Sequence, residues 1–385
     1  MARVRNYGCA IPSLVALTAI VLVGSAATLG REMFTAAALA AALPLPLYLA
    51  AALWIDRFEP EPRGLLVLAF LWGTSVAILV SGVLNGIADS TIGEAASTMV
   101  GAPVSEEVLK SVVLIYLFAR RRDEFDGVVD GVVYAALVGL GFAFVENIDY
   151  YGRALQTEGT QGLAVTVTLR GVISPYSHPL FTGMTGIGLG LARQTSRGWV
   201  RWAAPVAGLA AAILLHALWN AGAQAGCVFF VVYAFIMLPA FGALLGVVAW
   251  SLHREGHLLR EHLQAEFELG LLPATSYAEV CSVRQRLLGS TRALVRGGPR
   301  AWRRARRVHH AAAELAFLRY RVARGLQRPD PDLEQEYLRA LVPADARVGP
   351  VQDVTVEVRP GAAFPDLPGD ASRTAAADDA PPPVP

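Results

Sequence analysis

Ile11-Pro-Ser-Leu-Val-Ala-Leu-Thr-Ala-Ile-Val-Leu-Val-Gly-Ser-Ala-Ala-Thr-Leu-Gly30 is a run of twenty residues without a charge. A bilayer core about 30 Å thick needs roughly 20 apolar residues in a helix, so this stretch reads as a membrane span. After Met1-Ala-Arg-Val-Arg5 it resembles the apolar region of a signal peptide, but it is too long for one and more spans follow. Moving outward, Phe34–Ile55, Gly64–Leu84, Gly127–Tyr150, Ala203–Gly222 and Gly226–Trp250 have the same character. Two weaker spans complete the set: Pro103–Ala119, which carries two carboxylates near its start, and the Gly-rich His178–Arg193. The pattern predicts an all-α, polytopic membrane helix bundle of about eight spans.

Composition agrees. Of 385 residues, 54% are hydrophobic and 17% charged, against about a quarter charged in soluble domains; the mean hydropathy is +0.44. A secreted soluble domain and a soluble nucleotide-binding enzyme are excluded. The net charge of +1 averages two unlike halves. Cys9, Cys227 and Cys281 lie far apart without CxxC spacing, which excludes a disulfide framework and a thiolate zinc site.

Arginine bias sets the expected orientation. With the N-terminus inside, cytoplasmic segments up to residue 201 hold Arg3, Arg5, Arg57, Arg63, Arg120, Arg121, Arg122, Arg193, Arg197 and Arg201; outer segments hold Arg31, Arg153 and Arg170. Both termini are therefore expected in the cytoplasm. Gln161–Ser174 is too short and polar to span, and lies at the outer surface or dips back in. Residues 1–251 form the expected membrane domain. An Arg-rich cytoplasmic helical extension follows at 252–342, including a helix at Trp302–Gln327 with Val308, Leu315 and Leu318 in an apolar stripe. It is read as solvated, with contact to anionic lipid as the sharper alternative. Residues 343–385, rich in Pro, Ala and Asp, are expected to be disordered.

Ionisable residues inside spans cost roughly 2.5–3.5 kcal/mol each on insertion scales, so each is a functional candidate. Ser105-Glu-Glu-Val-Leu-Lys110 opens the fourth span. At about 100° per residue, Lys110 lies angularly between Glu106 and Glu107 and can pair with either. It is also the sole lysine in the chain. Phe142-Ala-Phe-Val-Glu146-Asn147 closes the fifth span, His178 opens the sixth, and His216-Ala-Leu-Trp-Asn220 puts His216 and Asn220 on one face of the seventh. Singly, each has a plain explanation: an interfacial ion pair, packing by Phe142, or interhelical hydrogen bonding. Spans alternate direction, however, so all four clusters fall in the same outer leaflet. That predicts one polar site assembled from four helices.

Two to three carboxylates, two imidazoles and two amides, without a Ser-His-Asp or Cys-His arrangement, suggest activation of water. Either a carboxylate takes a proton from water while the imidazoles and Asn220 stabilise an oxyanion, or Glu and His side chains hold a divalent metal. The absence of HExxH excludes a zincin-type helix. A proton- or ion-coupled transporter is the alternative reading of the same residues; no internal two-fold repeat supports it.

The order Glu-Glu-x-x-Lys, Phe-x-x-x-Glu-Asn, His, His-x-x-x-Asn on successive helices resembles the PrsW family of intramembrane proteases, within the wider group containing the CAAX endopeptidases and bacteriocin-processing proteins. Asp56-Arg-Phe-Glu-Pro-Glu-Pro62 also looks like a stretch common near the second span of such proteins. The resemblance covers roughly residues 40–250. It implies a bacterial multi-pass membrane hydrolase that cuts a membrane-anchored protein, in the family's best-known role an anti-sigma factor, on the outer side. It implies no nucleic-acid partner. By motif, Glu106, Glu107, Glu146, His178 and His216 are the implied catalytic residues, with Lys110, Asn147, Asn220 and Phe142 supporting. A divalent metal such as zinc, held by Glu107, Glu146, His178 and His216, is compatible with the family's usual metalloprotease label; the CAAX relatives look instead like glutamate-dependent hydrolases. Those relatives usually have His where this chain has Glu146, which argues against a CAAX substrate.

Overall fold

The structure, a computed structural model, describes residues 9–341 apart from Glu59 and Leu326; the segment expected to be disordered, 343–385, lies outside them. Among the described residues there are helices and no strand. In chain order they are α1 (Ala10–Leu29), α2 (Arg31–Ala42), α3 (Leu45–Ile55), α4 (Arg63–Trp72), α5 (Ile78–Ile92), α6 (Glu94–Ala96), α7 (Ala102–Arg120), α8 (Val128–Thr166), α9 (Ser177–Gln194), α10 (Gly198–Gln224), α11 (Val228–Val232), α12 (Leu238–His262), α13 (Gln264–Glu268), α14 (Ala274–Val280), α15 (Val283–Ala323) and α16 (Pro331–Leu341). Wider π-helical turns at Gly73–Ala77, Ser97–Gly101, Val167–Ile173 and Tyr233–Met237 interrupt or adjoin several of them.

Among the described residues, six stretches are long and apolar enough to cross a membrane, and one of them, Val128–Gln194, contains both α8 and α9. The expected fourth span is α7, whose Glu106, Glu107, Lys110 and Arg120 hold it below that apolar threshold. Every segment counted from the sequence is thus helical. The second is broken: Leu43 and Pro44 separate α2 from α3, because proline removes a backbone donor. On α1, Val15, Ile20 and Val23 are exposed, as a lipid-facing surface requires.

α8 is the axis of the bundle; apart from Asp130, every residue from Val128 to Ala143 is buried. Its closest neighbour is α9, and the approach depends on glycine. A Cβ at Gly131 would overlap the Gly186 carbonyl, and one at Gly186 would overlap that of Gly131. Gly131→Ala should therefore lower stability by about 1–3 kcal/mol through overpacking, read as a lower melting temperature in detergent; an unchanged melt would mean that the helices separate freely.

Beyond Glu146, α8 leaves helical geometry at Gly159, where φ is +68°. The chain doubles back, so that 167–173 returns beside the same helix; Arg170 then reaches Asn147. The segment expected to lie on or dip below the surface is this return arm.

The Arg-rich extension differs from the solvated expectation. α12 runs without a break through residues 251 and 252. The helix anticipated at Trp302–Gln327 starts much earlier and ends sooner, as α15 (Val283–Ala323), where Ala312, Leu315 and Leu318 are buried. Ala312 and Leu315 share one core with Val128, Val132, Leu252 and Leu259. Basic side chains tie the layers: Arg286 donates to the carbonyls of Arg57 (2.8 Å) and His309 (2.6 Å), and Arg319 pairs with Glu266 and Glu334, each at 2.8 Å. The expected apolar stripe of Val308, Leu315 and Leu318 is the packing face of α15, widened by Ala311, Ala312 and Ala313.

Candidate active site

α7 begins with proline in its first turn and follows directly on the π-helical turn Ser97–Gly101. Helical spacing then gathers Glu106, Glu107 and Lys110. Lys110 Nζ lies 2.9 Å from Glu107 Oε1 and 3.4 Å from Glu106 Oε2, so the ammonium meets both carboxylates. It is fully buried, as is Glu107, while Glu106 keeps 6% of its surface exposed. Below it, Phe142 presents its ring face 3.7 Å from Nζ, a favourable cation–π contact in a desolvated place.

His178 joins α9 to this group. Its Nδ1 lies 3.1 Å from Lys110 Nζ, and its Nε2 lies 2.8 Å from Glu146 Oε2. An ammonium can only donate. Nδ1 must therefore be the acceptor, and Nε2–H donates to Glu146. Glycine again sets the approach: a Cβ at Gly139 would come 2.8 Å from the His178 carbonyl. On α10, His216 Nδ1 lies 3.0 Å from Glu107 Oε1 and Nε2 lies 3.8 Å from Glu106 Oε2. With Nδ1–H given to Glu107, the Nε2 lone pair faces Glu106. The two imidazoles stand nearly perpendicular, with centroids 5.4 Å apart.

The fold thus brings together Glu106, Glu107, Lys110, Phe142, Glu146, His178 and His216 from α7, α8, α9 and α10. Asn147 sits beside them, accepting from Arg170 Nε at 2.8 Å. Asn220 does not join. Its amide donates to the Thr98 carbonyl at 2.9 Å, so it anchors the turn leading into α7 rather than facing the carboxylates. Sharing a helix face with His216 was insufficient, because Thr98 supplies a nearer acceptor.

Three further residues belong to the group. Arg170 pairs with Glu146; in the sequence it looked like an outer-loop arginine, and only the doubling back of the chain delivers it. Thr182 donates to Glu107 Oε2 at 3.0 Å, and its i+4 spacing from His178 was a readable sign. Asn85, an amide on α5 one residue past the expected third span, donates to Glu106 Oε1 at 3.4 Å and accepts from Ser105 at 2.6 Å.

With neutral imidazoles, three carboxylates face two cations, Lys110 and Arg170. One negative charge remains, which a proton or a metal cation would balance. The ligand-capable atoms of Glu106, His178 and His216 lie within 4.8 Å of one another. This differs from the expected set, because Glu107 is held by Lys110, Thr182 and His216, and Glu146 by Arg170 and His178. Two imidazoles and one carboxylate suit zinc and leave a coordination position open. Lys110 reaches for the same His178 lone pair, so ammonium and metal compete there.

Asp56-Arg-Phe-Glu-Pro-Glu-Pro62 lies elsewhere. Glu61 accepts from the Tyr134 hydroxyl, and Tyr134 is twelve residues before Glu146 on α8, roughly 18 Å along a helix rising 1.5 Å per residue. Asp56 accepts from the Glu61 amide at 2.7 Å, and burial pushes its carboxyl up to about 7.

The family model described as PrsW family intramembrane metalloprotease matches residues 61–244, a range that includes every residue of the cluster. The chain is 33% identical over 152 residues to Protease PrsW of Geobacillus kaustophilus, covering 38% of this chain and 64% of that protein. To Protease PrsW of Clostridioides difficile it is 29% identical over 137 residues, covering 33% and 55%. To that of Oceanobacillus iheyensis it is 32% identical over 138 residues, covering 34% and 59%. The chain thus spans about three fifths of the length of these relatives. No solved structure matches it.

Proposed function

Through residues 61–244 the chain belongs to the PrsW family, and on that premise we propose that it is an intramembrane endopeptidase hydrolysing a peptide bond of a membrane-anchored protein. The observation that carries the reading is the convergence of Glu106, Glu107, two histidines and the chain's one lysine in a buried cluster inside an apolar bundle, with Glu146 at its partly exposed edge. Such a group is expensive to bury without a task, and its donors and acceptors suit the activation of water.

Unequal surroundings assign the roles. Glu107 has both oxygens occupied, by Lys110 and His216 on one side and Thr182 on the other. A carboxylate so engaged is a weak base and a good anchor. Glu106 has only longer contacts, 3.4 Å from Lys110 and 3.4 Å from Asn85, and retains exposed surface. It is the residue that takes a proton from water. His216, between the two glutamates, passes a proton toward the departing amine, while Lys110 and Arg170 offset charge developing on the carbonyl oxygen. Glu146 and Arg170 keep 16% and 17% of their side chains exposed; this is the edge at which water and peptide arrive.

Zinc bound by Glu106, His178 and His216 would lower the pKa of its water and polarise a carbonyl. Purified protein should then carry about one metal per chain, and chelation should remove both metal and cleavage. Full activity in metal-free protein would leave Glu106 and His216 as the whole apparatus.

The substrate we propose is a single-pass protein of the anti-sigma-factor type, cut on the extracytoplasmic side. Comparing membrane proteomes of cells carrying the native protein or Glu106→Gln tests this. The full-length substrate should accumulate with the variant; identical proteomes, and no cleavage of reconstituted single-pass proteins, would overturn the protease reading.

A further inference from the structure

An apolar cavity of about 1080 Å³ runs between α3, α8 and α12, outside the polar cluster. Its wall on α12 extends from Phe241 to Arg260, roughly 28 Å at 1.5 Å per residue, which matches a hydrocarbon core about 30 Å thick. One end lies at Tyr176 and Pro179, beside His178. The other lies at His257, Arg260 and Arg284. The groove is therefore apolar along the membrane and cationic where it leaves it.

Charge separates the candidate occupants. A membrane-spanning helix would offer the groove an apolar face alone, whereas a phospholipid joins an acyl chain to an anionic headgroup, and the mouth of the groove is cationic. Arg260 and Arg284 are exposed, and neither pairs with a carboxylate among the described residues; Arg260 Nη1 turns instead to His257 Nδ1 at 3.3 Å. Arg284 also opens the stretch 283–307, which holds nine arginines and no acidic residue. Anionic headgroups favour such sites.

We propose that this groove binds an anionic phospholipid of the cytoplasmic leaflet, an acyl chain lying along α12 and the phosphate held by Arg260 and Arg284. The lipid would fill the gap between α3 and α12 and join the Arg-rich extension to the bilayer. The proposal is independent of the proteolytic reading, because lipid retention measures it.

Native mass spectrometry of the full chain tests it, using phosphatidylglycerol and phosphatidylcholine with identical acyl chains. Each cation near an anionic headgroup favours it by roughly fivefold, so the native protein should retain phosphatidylglycerol roughly 25-fold better. Arg260→Gln/Arg284→Gln should erase that preference while leaving the melting temperature unchanged. Ala249→Trp, at an exposed position of the groove wall, should reduce retention of both lipids. Glycerol phosphate, which has no chains, should not be retained. Equal retention of the two lipids, or a preference unaltered by the double arginine variant, would overturn the proposal. So would glycerol phosphate binding as well as the lipid, or a single-pass membrane peptide whose capture Ala249→Trp abolishes while phosphatidylglycerol retention persists.

Discussion

Glu106→Gln should slow substrate cleavage by roughly 10²- to 10⁴-fold, the range spanned by loss of a general base, with little change in stability. Glutamine keeps the shape and the contact with Asn85 but cannot take a proton. Little structural loss is expected, since the Lys110 contact to Glu106 is long, 3.4 Å against 2.9 Å to Glu107. Glu107→Gln should behave differently. It withdraws the charge to which Lys110, His216 and Thr182 are fitted, so activity and melting temperature should fall together. Rates from reconstituted protein, set beside thermal melts of both variants, separate base from anchor. If Glu106→Gln cleaves normally while Glu107→Gln is inactive yet fully stable, the two roles are exchanged.

Lys110→Met should destabilise the protein by about 3–5 kcal/mol, the usual consequence of removing one partner from a buried ion pair. Methionine fills the volume and keeps contact with Phe142. It leaves Glu106 and Glu107 facing each other without compensation, and leaves the His178 Nδ1 lone pair unmet. The fault lies in unbalanced charge rather than lost packing, so Glu107→Gln/Lys110→Met should recover part of the loss. A thermal double-mutant cycle would read a coupling energy between the two positions. Because ammonium and metal compete for the same donors, added zinc should raise the melting temperature of Lys110→Met more than that of the native protein. An unchanged melt for the single variant would mean that water reaches Lys110 and that the pair contributes little.

Much of the site was legible because helical periodicity is rigid. Spacing of three and four placed Lys110 against both glutamates, and alternation of span direction placed Glu106, Glu146, His178 and His216 at one level. Residues brought in by irregular backbone were not legible. Arg170 arrives because the chain leaves helical geometry at Gly159; the polar character of 161–174 left a surface path and a return equally open and fixed no partner for the arginine. Asn220 failed for the converse reason. Its helix face was right, but the π-helical turn before α7 set Thr98 within reach of its amide. In the extension the stripe at Leu315 and Leu318 was legible but its width was not: alanines score as indifferent in a hydropathy pattern, yet Ala311–Ala313 allow α15 to pack close against the bundle.

The sequence by itself determined that the chain is a helical membrane bundle, since unbroken apolar runs of this length have few other stable states in water or lipid. It also determined that Glu106, Glu107, Lys110, Glu146, His178 and His216 meet, since a helix fixes every side chain's angle once its direction is known. Tertiary structure decided what those residues do to one another. Distances of a few tenths of an ångström separate the anchored Glu107 from the looser Glu106. A single ammonium contact fixes the tautomer of His178 and with it the lone pair that faces a proton or a metal. Such differences come from packing between helices, where glycine contacts and backbone breaks set the spacing, and no one-dimensional pattern carries them.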